Sequence, residues 1–160
     1  VQKLCFIILF TIALACPALA QYQTVAINAQ ATCGNAYENG VAVNLGAGIH
    51  YLTLTGAFSN WNVNTENGGN AWITLARARV SATGDTYNYS AGTGWKASPT
   101  AAAAEVAGMV FELTLATAGQ VVFATIDNPC GDNRGTVYVT IDDPVGVESR
   151  SWGTLKAMHR

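Results

Sequence analysis

Gln120-Val121-Val122-Phe123-Ala124-Thr125-Ile126, then Asp127-Asn128-Pro129-Cys130-Gly131-Asp132-Asn133-Arg134-Gly135, then Thr136-Val137-Tyr138-Val139-Thr140-Ile141 is the stretch on which the reading of this chain turns. Two runs rich in β-branched and aromatic residues flank a loop of carboxylates, amides, glycine and proline. The runs fit a pleated, half-buried surface. The loop has two readings. Hard cations such as Ca²⁺ take about six to eight oxygen ligands, and a tight loop rich in Asp and Asn supplies several. The same residues also make an ordinary turn, because Asn, Asp, Gly and Pro satisfy turn geometry locally.

Outward from this stretch, the same strand–turn alternation runs through the chain. Thr24–Ala29, Val41–Leu45, Ile49–Gly56, Ala71–Ser81, Thr86–Tyr89 and Val106–Leu115 read as strands. With Gln120–Ile126 and Gly135–Ile141 they make about eight. Gly46-Ala47-Gly48, Gly84-Asp85 and Ala118-Gly119 supply turns. Ala101–Ala104 has helical propensity, but Pro99 and the neighbouring Gly and Ser limit it to about one turn. The expected fold is all-β: a single jelly-roll or β-sandwich domain of antiparallel strands over residues 21–143.

The ends read differently. Lys3, the apolar run Leu4–Ala15 and Ala18-Leu19-Ala20 describe an export signal over residues 1–20. Cys16 raises a lipoprotein reading, against which Ala13 and Pro17 speak. Residues 144–160 form a C-terminal tail. Its Ser149–Arg160 part is basic, with Trp152, Leu155 and Met158 on one apolar line, and the simplest expectation for it is a frayed terminus. The expected location is secreted, either extracellular or periplasmic. No later segment is apolar enough for a helical membrane span.

The chain holds ten acidic residues and eight Lys and Arg, of which Lys3 lies in the signal. A mildly negative domain argues against nucleic acid, which is met by a basic face. Cys5 and Cys16 leave with the signal, so Cys33 and Cys130 remain. In an exported protein this pair is expected to form a disulfide.

Catalytic constellations are poor. The two histidines, His50 and His159, sit in an alternating strand and beside the terminus, and His50 reads as a solvated strand residue. No serine has a nucleophile-elbow setting, and nothing selects a carboxylate pair from Glu66, Glu105 and Glu112. The chain is therefore read as no enzyme. Asn60–Asn70, with Trp61, Asn62, Asn64 and Glu66, and Gly92–Ala104, with Trp95, are the loops where a sandwich carries a binding surface. An indole there serves either as a stacking platform for a sugar ring or as an anchor on the core, and the anchor is favoured. Trp72 reads as core. Arg77 and Arg79 read as solvent-facing on one strand face.

Three segments carry a resemblance. They are Val25–Ala29 leading to Gly40–Val43, then His50–Ser59, and Gly119–Asp127 continuing into Asp132-Asn133-Arg134-Gly135 and Val137–Ile141. Together they are similar to the LecA-like family, the calcium-dependent galactophilic lectins of bacteria. The resemblance implies a small jelly roll binding one Ca²⁺ at its rim, with the ion meeting sugar hydroxyls. It implies Asp127, Asp132 and Asn133 as side-chain ligands, a carbonyl from Pro129 or Cys130, and another from Asn60. Trp61, Asn62, Asn64 and Glu66, with Asp127 and Asp132, would then face a glycan. The family's galactose-contacting histidine and glutamine have no counterpart in Asn62–Asn70. The functional expectation is a non-catalytic, calcium-assisted carbohydrate-binding module for a glycan or polysaccharide, with homo-oligomers possible in principle. The alternative is a structural or surface-assembly subunit with no small-molecule site.

Overall fold

The computed structural model describes residues 22–59, 71–127 and 130–142. The signal segment, Asn60 with the rest of the Asn60–Asn70 loop, Asn128, Pro129 and the tail lie outside these described residues. Nine strands and one helix appear among them: β1 (Tyr22–Asn28), β2 (Cys33–Gly34), β3 (Val41–Leu45), β4 (Gly48–Ser59), β5 (Leu75–Val80), β6 (Thr86–Ser90), α1 (Pro99–Val106), β7 (Phe111–Leu115), β8 (Gly119–Ile126) and β9 (Arg134–Asp142).

The strands form two sheets. One has the order β1-β9-β4-β7; in the other, β8 lies between β5 and β3, with β6 beyond β5. Every pairing is antiparallel except that of β2, whose two residues run parallel to the end of β8. First and last long strands are neighbours, and β4 and β5 lie in different sheets. This is the double Greek-key arrangement of a jelly roll, and the expected all-β sandwich is what the chain forms.

The two-residue period explains the layering. Ile27, Leu52, Leu54, Leu113, Val137, Val139 and Ile141 point inward from the first sheet. Val43, Leu45, Ala76, Ala78, Val121 and Phe123 meet them from the second, all buried in one cluster. The residues between them face out, as the pleat requires. His50 shares the phase of Leu52 and Leu54. It is 1% exposed, with Nε2 2.9 Å from the Gly46 carbonyl oxygen, and so is a core residue rather than a solvated one.

The helix is longer than the sequence reading allows. Ser98 is its N-cap, the Oγ accepting from the Ala101 N–H at 3.1 Å, and Pro99 sits at the first helical position. A proline there starts a helix rather than limiting it, since its missing N–H would go unpaired anyway. Ala102 and Val106 are buried, and α1 packs on β4. Val106 thus belongs to the helix, and Gly108 at φ +77° turns the chain out of it before β7 begins at Phe111.

Candidate functional site

The acidic loop is held from three sides. First, Asn28 ends β1 by folding the chain over. Its Oδ1 accepts from the N–H groups of Gln30 and Ala31, and its carbonyl accepts from the Thr32 N–H and hydroxyl. This turn delivers Cys33-Gly34 to the end of β8, where the Asp127 N–H donates to the Gly34 carbonyl at 3.0 Å.

Second, Cys33 and Cys130 are joined by a disulfide, their Cα atoms 5.7 Å apart. The bridge ties β2 to the loop and bears out the expected pairing. Cys33 Sγ lies 2.8 Å from the Asp127 carbonyl oxygen. A bridged sulfur carries no hydrogen, so this is a contact and not a hydrogen bond. Third, the Asn133 N–H donates to the Cys130 carbonyl at 3.3 Å, and Asn133 Nδ2 donates to the Ala29 carbonyl at 3.2 Å. Asn133 is only 3% exposed. The Cys130 carbonyl, one of the two backbone oxygens implied by the resemblance, therefore closes the turn.

Three oxygens in this loop are left over. Asp127 Oδ2, Asp132 Oδ1 and Asn133 Oδ1 are each shielded from solvent and have no hydrogen-bond partner. Buried polar atoms are nearly always paired, and unpaired ones call for a specific account such as an ion or a water. All three here are acceptors, two of them on partly exposed carboxylates, and a carboxylate oxygen shielded from water without a partner is unfavourable. Among the described residues no Lys or Arg forms an ion pair with either aspartate. Arg77 is half-buried rather than free in solvent, its Nη1 donating to the Ile126 carbonyl at 3.1 Å. An acceptor-only set of hard oxygens is chemically matched to a hard cation.

The other expected residues divide. Asn60, Trp61, Asn62, Asn64 and Glu66 lie outside the described residues. Trp95 packs edge-on against Phe58, ring centroids 6.4 Å apart, and rests on the core cluster; it is an anchor. Trp72 is half-buried, bridging to Lys96 through paired backbone hydrogen bonds of 3.0 and 2.7 Å. Lys96 Nζ meets Glu105 Oε1 at 2.6 Å, which ties the Trp95 loop to α1.

Compared with family models, curated proteins and solved structures, the chain matches none. No group of three or more His, Cys, Asp or Glu suited to a metal occurs among the described residues. A two-Asp, one-Asn set falls outside that pattern because its third member is an amide.

Proposed function

We propose that this chain is a secreted, non-catalytic carbohydrate-binding module whose Asp127–Asn133 loop takes up one Ca²⁺. The observation that supports it is the trio of buried, unpartnered oxygens on Asp127, Asp132 and Asn133. The LecA-like resemblance selects the same residues independently of any coordinate. In this reading the disulfide, the Asn28 turn and the Asn133 amide hold the three side chains in place before the ion arrives, so little ordering remains to be done on binding.

Asp127 and Asp132 supply the negative charge, and Asn133 contributes a neutral oxygen fixed by the donation of its Nδ2 to the Ala29 carbonyl. Ca²⁺ accepts about six to eight oxygens, so three side chains leave ligand positions for vicinal hydroxyls of a sugar ring. The resemblance implies a further calcium ligand from Asn60 and glycan contacts from Trp61, Asn62, Asn64 and Glu66, which lie outside the described residues. A glycan panel read with calcium and again with chelator tests the proposal. Binding to at least one glycan that chelator abolishes supports it. Glycan binding indifferent to chelator, or none to any member of a broad panel, overturns it.

A further inference from the structure

Of the large hydrophobic side chains exposed among the described residues, Tyr22, Ile49, Tyr51 and Tyr138 stand on one sheet face, and Met109 and Val110 precede its edge strand. Tyr22, Tyr51 and Tyr138 stand at outward positions of β1, β4 and β9, and Ile49 shares the phase of Tyr51. Met109 and Val110 lead directly into β7, the edge of the same sheet. Tyr22 is 67%, Val110 59% and Tyr138 45% exposed.

The register places the three tyrosines and Ile49 on one surface. Tyr22, Asp142, Tyr51 and Glu112 fall in one row across the sheet; Thr24, Thr140 and Thr53 form the next; Ala26, Tyr138 and Thr55 the one after. Thr24 and Thr140 bring their hydroxyls within 3.4 Å, so the polar groups of this face partly satisfy one another. No Lys or Arg occupies an outward position of β1, β4, β7 or the Thr136–Asp142 part of β9. Lysine-poor surfaces with exposed Tyr and Met are the composition of interface cores, and carboxylates such as Asp142 at a strand end suit a rim.

The opposite sheet is different. There Arg77 and Arg79 face outward, and the segment before β3 lies over β8, a Cβ on Gly40 meeting Val122 and Ala124. Tyr37 in that segment is held above the usual phenol range by burial, which the nearby Arg77 and Arg79 partly offset. That sheet is covered by its own chain only over β8, and its exposed outward residues, Ala42, Asn44, Arg79, Thr86 and Asn88, include no large hydrophobic.

We propose that the β1-β9-β4-β7 face binds a second copy of this chain. Four strands about 4.8 Å apart and about seven residues long at 3.4 Å each span roughly 450 Å² in projection. Side-chain relief makes the accessible area larger, and two such faces together reach the ~1,000 Å² at which specific interfaces begin. The aliphatic share, Ile49, Met109 and Val110, favours a protein partner over a sugar, which stacks on aromatic faces.

The test is the mass in solution of the isolated, disulfide-intact chain, measured by light scattering and sedimentation at micromolar concentration. The expected mass is twice that of one chain. Tyr138→Glu together with Tyr51→Lys is expected to weaken association at least about tenfold, with the circular-dichroism spectrum retained. Asn88→Lys on the opposite sheet is expected to leave the mass unchanged. A monomer across the range overturns the proposal. So does an oligomer indifferent to the Tyr51 and Tyr138 substitutions. None of these outcomes depends on calcium, so the proposal stands or falls apart from the cation site.

Discussion

Reducing the Cys33–Cys130 bridge should cost this domain a large part of its stability, and the amount follows from where the bridge sits. The two cysteines are 97 residues apart in sequence, so the unfolded bridged chain is closed into one long loop. In the chain-entropy model such a loop is worth about 4.7 kcal/mol. Domains of this size are stable by about 5–15 kcal/mol in total, so the bridge carries a third or more of the margin. Equilibrium urea unfolding of the oxidised and fully reduced chains measures it. With a slope of about 2 kcal/mol/M, the midpoint falls by about 2 M, and the slope itself rises because the open unfolded chain exposes more surface. Cys33 is buried, so a double substitution to Ala adds roughly 1 kcal/mol for lost packing beyond simple reduction. A midpoint shift under about 0.5 M would refute the reasoning, since the loop-closure argument depends only on sequence separation.

Gly135 has φ +86°, and a Cβ there would meet the Ala57 carbonyl oxygen and the Trp72 ring, so Gly135→Ala should destabilise by about 2–4 kcal/mol in urea unfolding. Gly46, with open space around its Cβ position, should tolerate the same change within about 0.5 kcal/mol. The Tyr89 hydroxyl is buried without a partner, so Tyr89→Phe should be neutral or stabilising by up to about 1 kcal/mol in the same assay. Burial, and after it Tyr87, holds the Tyr89 phenol well above its ordinary value. The unfolded chain therefore loses that proton first, stability falls as pH rises above about 10, and Tyr89→Phe should reduce that alkaline loss in melts followed from pH 8 to 11.

The strands were legible because one face of each is buried, so the apolar period of two is written along them. His50 lay in phase with Leu52 and Leu54, and that phase was the better guide to its burial than its polarity. The extent of α1 was misread because Pro99 is punctuation whose meaning depends on position: inside a helix it breaks, at the first residue it begins. Nothing local marks β2, whose two residues are strand only because the Asn28 turn and the disulfide bring them to β8. In the loop, composition flagged carboxylates and amides, and the LecA-like resemblance implied Asp127, Asp132 and Asn133 among them. Neither showed that their oxygens are shielded from water, because the contacts that hold the loop come from Ala29, Gly34 and Cys33, distant in sequence. The open face of the β1-β9-β4-β7 sheet was equally hidden, since its rows depend on pairing between strands far apart in the chain.

The most direct measurement is the thermal unfolding and calorimetric titration of the chain with Ca²⁺, beside Asp132→Asn. The account predicts one ion per chain and, at a hundredfold excess over the dissociation constant, about 2.7 kcal/mol of added stability, or roughly 8 °C in Tm. Asp132→Asn should lose that gain and, without calcium, melt no lower than the parent because a shielded, unpartnered carboxylate oxygen has given way to a neutral amide. No binding heat and no calcium-dependent Tm, with Asp132→Asn less stable under every condition, would contradict it.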